Sequence, residues 1–160
     1  MGRFQRRAGR AAVTLRVSSL SPQPGQLEAM PDAECLKRLR SSDMGRIALV
    51  DYDVRPVIFP VNYFFDEGVI AFRTAPGSKL DLAPGAPACF EIDGWDPDVG
   101  IGWSVVAKGT AHDITQPRGA PTGRIRFWPV RPLAPGSREH WVGIWVSEIT
   151  GRWFRTPAPS

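Results

Sequence analysis

Histidine and cysteine are almost missing from this chain of 160 residues: His112, His140, Cys35 and Cys89 are all there is of either. No Cys/His spacing can assemble a zinc site, and no order of Ser, His and Asp reads as a nucleophilic triad. Cys35 falls in an expected helix and Cys89 in an apolar strand, where a reduced thiol packs as a small hydrophobe. With no secretory signature, a disulfide is not expected. No apolar run approaches the ~20 residues of a transmembrane helix. Neither G-x-x-x-x-G-K-[ST] nor G-x-G-x-x-G occurs, which excludes a Walker loop and a dinucleotide fingerprint.

Acidic residues are absent from the first 27 positions, whereas Arg3, Arg6, Arg7, Arg10 and Arg16 all fall there. The formal charge of +4 is therefore a property of this stretch. Of 20 basic residues five lie in the arm, so the body has 15 against 16 acidic ones. A nucleic-acid-binding body carries its basic stripe on the domain itself, so no nucleic-acid partner is expected. No apolar h-region follows the arginines, so this is not a secretory signal. Residues 1–26 end in S-P-Q-P-G-Q, a linker composition, and read as a disordered arm. A folded unit over 27–156, cytoplasmic and not bound to membrane, is the expectation.

What is abundant is turn chemistry and tryptophan. Glycine and proline contribute 16 residues each, and there are six tryptophans. Many turns favour a β-rich fold over a helical bundle. One helix is expected over 31–42: Pro31 suits a first helical position, Asp32 and Glu34 follow it, and Lys37, Arg38 and Arg40 lie towards the end. That charge order complements the helix dipole. From Gly45 the period shortens. Strands are expected over 45–51, 56–65, 69–74, 88–93, 102–114 and 139–149, being β-branched or aromatic runs bounded by turn residues. Short connections make the first three a meander. Residues 115–136 read as mostly loop. The class expected is mainly β, a six-stranded antiparallel split β-barrel with short peripheral helices. Barrel closure removes exposed sheet edges.

The segment V-I-A-F-R-T-A-P-G-S-K-L, residues 69–80, holds the densest chemistry. A strand ends in Arg73 and Thr74, a glycine turn follows, and Ser78 and Lys79 come next. Two cations, two hydroxyls and free backbone amides around one loop suit a phosphate monoester. The same residues also make an ordinary polar strand-to-helix turn. Pro60, which cannot donate to a ladder, marks a strand edge or bulge, and Asn62 is a polar residue in a largely apolar strand. Asp93, Asp96 and Asp98 read as a solvated, turn-rich loop.

Residues 45–80 closely resemble the pyridoxamine-phosphate-oxidase-like, FMN-binding split-barrel family, most of all its nitroimidazole-resistance-related subgroup. G-W-S-V-V-A-K-G-T-A-H-D-I-T at 102–115 and W-V-S-E-I-T-G-R-W-F at 145–154 extend the resemblance in the right order. It implies a homodimer with FMN in a groove at the interface. Val57, Ile58, Phe59, Pro60, Val61 and Asn62 would run beside the isoalloxazine. Arg73, Thr74, Ser78 and Lys79 would hold the phosphate, with Trp103 and Ser104 at the ribityl-phosphate region. Trp141 and Trp145 would come from the second subunit to the ring pocket. The activity implied is an FMN-dependent oxidoreductase acting on a small-molecule redox substrate. Relatives that use a deazaflavin or bind haem leave a deazaflavin-dependent reductase, or a non-catalytic flavin or haem carrier, as alternatives. The ending W-F-R-T-P-A-P-S lacks the arginine-rich signature that grips a vitamin B6 phosphate, so B6 oxidation is not implied.

Overall fold

A computed structural model describes residues 25–116, 130 and 139–156. The arginine arm and most of the expected loop over 115–136 lie outside the described residues. The chain order is β1 (Leu27–Ala29), α1 (Asp32–Ser41), β2 (Met44–Val50), β3 (Pro56–Asp66), β4 (Val69–Thr74), α2 (Ser78–Leu82), β5 (Ala86–Asp96), β6 (Ile101–Asp113) and β7 (His140–Arg155). Strands pair in the order β1-β7-β4-β3-β2-β5-β6, and β6 pairs β7 again, which closes the ring. The six expected strands form that ring, so the split-barrel class holds. Residues 27–29, expected at the domain's edge, add a short seventh strand along β7.

Burial alternates along the ring as a half-buried ladder requires. Ile47, Ile70, Phe72, Phe90, Ile92, Val105, Val142 and Ile144 point inwards and are at most 1% exposed. Helix α1 plugs one mouth with Cys35 and Leu39. It is tied to the ring by the Tyr63 hydroxyl, which donates to the Leu39 carbonyl at 2.8 Å. Burial holds that phenol well above its ordinary pKa.

Several expected boundaries move. Pro31 caps α1 from an extended conformation instead of opening it, and its carbonyl receives the Glu34 and Cys35 amides. Strands β5 and β7 run past their expected ends to Asp96 and Arg155, because both find register partners at the start of β6, as far as Ile101. Of the three aspartates read as a turn-rich loop, Asp93 and Asp96 thus lie in β5, with Asp93 ion-paired to Arg46 at 2.7 Å on the exposed face. Asp96 closes the turn by accepting the Asp98 amide at 3.0 Å. Both cysteines are free thiols. Among the described residues there is no helix long and apolar enough to cross a membrane, and no metal-binding cluster.

Candidate functional site

The ring has one short seam. Strands β3 and β4 pair only from Tyr63↔Phe72 to Asp66↔Val69. Beyond that the first half of β3 keeps β2 on one side, from Asn62↔Met44 to Pro56↔Val50. Its other edge has no strand partner among the described residues. The Tyr63 amide donates to the Asp43 carbonyl at 3.2 Å, on the β2 side. Backbone groups alternate sides along a strand, so those of Ile58, Pro60 and Asn62 address the open edge. Pro60 has no N–H to leave unpaired there, which explains its tolerance in mid-strand.

Strand β4 ends opposite this edge. Arg73 is half-buried and pairs in register with Trp141, its guanidinium 5.7 Å from the indole centroid. Thr74 is 2% exposed, and its hydroxyl donates to the Ala75 carbonyl, bracing the turn from inside. At Gly77 φ is 132°, a conformation that excludes ordinary L residues. This lets the chain reverse into the single turn of α2. There Ser78 is exposed, and the Lys79 ammonium lies 4.6 Å over the Phe59 ring. The β2–β3 hairpin closes the same end, with the Tyr52 hydroxyl donating to Asp81 O at 3.3 Å. The structure thus gathers residues 57–62, Arg73, Ser78 and Lys79 around one mouth with two cations at its rim, while the Thr74 hydroxyl faces inward.

Asn62 adds a specific signal. Its amide nitrogen donates to the Asp43 carbonyl at 3.1 Å, yet its Oδ1 is buried with no hydrogen-bond partner. An orphaned acceptor of this kind wants a donor, and its carboxamide is anchored on the β2 side through Asp43.

Trp141 and Trp145 share the outer face of β7 and join a small cluster with Val69, Ala71 and Ile114. Trp145 also meets His112 edge-on, with centroids 5.1 Å apart. Only Trp141 stands next to the loop within one chain. Trp103 and Ser104 are not brought there: they pair with Trp153 and Arg152 at the far end of β7. Trp103 is covered by the Arg38 guanidinium, 4.2 Å from its ring centroid. Contact of these two residues with a ligand at the seam requires a second subunit.

Sequence reasoning missed the neighbours of the loop. His140 pairs in register with Thr74, and the Thr115 hydroxyl links Asp113, the Trp141 amide and the His140 ring. The register of β4 on β7 is what assembles this set, and no local pattern encodes it.

A six-strand antiparallel ring opened along one seam, with cations and unpaired backbone at that seam, defines a split β-barrel. The chain belongs to the pyridoxamine 5'-phosphate oxidase family, whose model matches residues 31–153. It is similar to a Corynebacterium glutamicum protein named as a candidate pyridoxamine 5'-phosphate oxidase, with 32% identity over 81% of this chain and 99% of that one, at a TM-score of 0.67. A Mycobacterium smegmatis structure named as an FAD-binding protein is also 32% identical, covering 79% of this chain and 97% of that one, at a TM-score of 0.65. An uncharacterized Mycobacterium tuberculosis protein is 30% identical over 59% of this chain and 72% of its own length.

Proposed function

We propose that this protein is a flavin-dependent oxidoreductase, with FMN held at the β3–β4 seam of a homodimer and a small-molecule redox substrate. The observation that carries the reading is the seam: a strand edge free to bond a ring's polar rim faces a glycine turn flanked by Arg73 and Lys79. In this reading the amides and carbonyls of Ile58 and Asn62, with the Pro60 carbonyl, bond the edge of the isoalloxazine. Arg73, Ser78 and Lys79 hold the phosphate by charge-assisted bonds, and Thr74 keeps the turn in shape. Trp103 and Ser104 of the second subunit complete the groove, and Trp141 and Trp145 wall the ring. The bound flavin supplies hydride or electron transfer; the protein supplies placement and electrostatics.

Dimerisation draws support from the outer face of β2 and β3. Met44 and Val50, at the two ends of β2, and Ile58 of β3 are 52%, 52% and 64% exposed there, large apolar groups on one face with Arg46 between the first two. A second copy covering this face would shut the seam from water.

The test is a titration of the purified protein with FMN, FAD and a deazaflavin, read by flavin fluorescence, with the absorption spectrum of the protein as isolated. Micromolar or tighter binding of a flavin supports the reading. Absence of binding by all three removes it, and a haem Soret band in its place supports the carrier alternative. Loading the protein and supplying NAD(P)H separates an oxidoreductase, which reduces the bound ring, from a flavin store, which does not.

A further inference from the structure

We propose that the groove between α1 and the bulged stretch of β7 binds a small zwitterion, an ω-amino carboxylate whose two charges sit at opposite ends of an apolar chain. Asp32, Leu36 and Arg40 are spaced four apart, so they form one row along the helix. Helix α1 crosses the mouth of the barrel from β7 to β3. The Met30 amide just before it donates to the Gly151 carbonyl at 2.8 Å, and the Arg40 guanidinium near its end lies 5.8 Å from the Phe65 ring centroid. The facing wall is made of consecutive residues. In a regular strand only alternate residues face one side, yet Val146, Ser147, Glu148 and Ile149 all line this cavity. A bulge explains it: Lys108 stands opposite Glu148 and Gly109 opposite Val146, which leaves Ser147 as the extra residue. A Cβ at Gly109 would collide with the Trp145 carbonyl, so glycine there lets the strand bend. The Ser147 hydroxyl braces the bulge by donating to the Lys108 carbonyl at 3.2 Å. The Val146 amide donates to the Gly68 carbonyl at 2.9 Å, which fixes the β3–β4 turn beside it.

The cavity measures about 440 Å³, the size of a small organic ligand. Its floor is apolar, with Phe65 buried and Leu36, Val146 and Ile149 half-buried. Its two ends are charged. Asp32 stands at one and Arg40 at the other, two helical turns or about 12 Å of axis apart. The other charges nearby are already matched. Glu34 holds Lys37 and Arg38, and Glu148 holds the Lys108 ammonium at 2.9 Å, leaving Asp32 and Arg40 without an ion-pair partner among the described residues. They stand too far apart to neutralise each other. A ligand with its ammonium at Asp32 and its carboxylate at Arg40 answers both, while Leu36, midway along the row, and the β7 wall take its chain out of water. The groove is separate from the flavin site. The row lies on the opposite flank of α1 from Glu34 and Arg38, and Arg38 is the residue that covers Trp103. Phe65 is six places along β3 from Phe59, about 20 Å from the ring that lies under Lys79. The inference therefore does not rest on the flavin reading.

The experiment is a two-dimensional amide NMR titration of the full chain with ω-aminooctanoate, and with octanoate and octylamine, which each keep one of its charges. All three are run with and without saturating FMN. The zwitterion is expected to bind roughly fivefold more tightly than either single-charge probe, to shift the amides of Gly68, Ser147 and Glu148, and to do so whether or not FMN is present. Arg40→Ala is expected to lower its affinity to that of octylamine, and Asp32→Asn to that of octanoate. Both positions are exposed, and thermal melting of the variants verifies folding. Equal affinity for the three probes overturns the proposal, as do shifts confined to other residues. A change of oligomeric state in Arg40→Ala, read by light scattering, overturns it by giving the groove to a second copy. Displacement of the zwitterion by FMN also overturns it, by giving the groove to the flavin, and leaves the flavin reading standing.

Discussion

The two ends of this barrel are made from the same antiparallel ladder and finish in opposite states. Strand β5 stays in register with β6 for eleven residue pairs, and β6 continues against β7 over its whole length. Strand β3 stays with β4 for four. At the first end every strand is laddered, and what remains exposed is side chain: two aromatic rings, Trp95 and Phe154, and two carboxylates, Glu91 and Asp93. At the second end backbone itself is exposed along β3, next to Arg73 and Lys79. A sheet can therefore offer a ligand either its side chains or its hydrogen-bonding edge. The edge becomes available only where pairing stops. A closed barrel otherwise exists to hide such edges, so an open seam calls for a partner of some kind.

The contrast can be broken most strongly from the shared core. Phe90 is fully buried and meets Tyr63 edge-on, with centroids 4.7 Å apart, so it joins the laddered side to the split side. Phe90→Ala is expected to remove about 3–5 kcal/mol of stability. Urea unfolding followed by far-UV circular dichroism measures it, and a loss below about 1 kcal/mol would mean that the two halves do not share one core.

A change at the rim of the seam should do the reverse. Arg73→Ala or Lys79→Ala is expected to weaken FMN binding by about 1.5–3 kcal/mol, roughly 10- to 150-fold, through loss of a charge-assisted contact. Stability should move less, by about 1 kcal/mol, because each cation also packs over a ring, Trp141 or Phe59. Fluorescence titration and thermal melting on the same samples separate the two effects. Ile58→Glu is expected to turn a dimer into a monomer in light scattering and to weaken FMN binding with it, since the seam would then lie open. A monomeric parent protein that binds FMN tightly would remove the second subunit from the site.

The smallest effect belongs to the laddered end. Burial and Asp93 raise the Glu91 pKa in the folded chain, against the weaker pull of Arg46. The folded state therefore holds that proton more tightly than the unfolded chain does. The resulting contribution is fully present below the ordinary glutamate range and fades as pH rises through the raised value. Glu91→Gln deletes this slope. The stability of the variant relative to the parent is expected to rise with pH across the window just above the ordinary glutamate pKa. Unfolding midpoints taken from weakly acidic to neutral pH check the sign, and a falling difference would mean that Arg46 dominates.

Much of this fold could be read in the linear pattern, because its causes are local. Alternating burial in 45–51 and 56–65, the turn residues between them and the charge order of 31–42 each act within a few neighbours. The candidate phosphate loop was legible for the same reason, since Arg73, Ser78 and Lys79 lie within seven positions. Where the reading went astray, a distant strand had decided. The strand expected to stop at Asp93 runs on through Gly94, Trp95 and Asp96, because β6 pairs with it there although glycine, proline and aspartate crowd the stretch. Trp103 and Ser104 stand close to the loop only if a second chain brings them.

The elements, the barrel class and the short segment that carries the cations could be read locally, since periodicity, turn chemistry and charge order are properties of neighbouring residues. Tertiary structure alone decided where pairing stops. The open edge of β3, the His140–Thr74 juxtaposition and the Trp95–Phe154 stack all follow from register between strands distant in sequence. Register is set by how whole ladders close into a ring, and that closure is a property of the fold and not of any one segment.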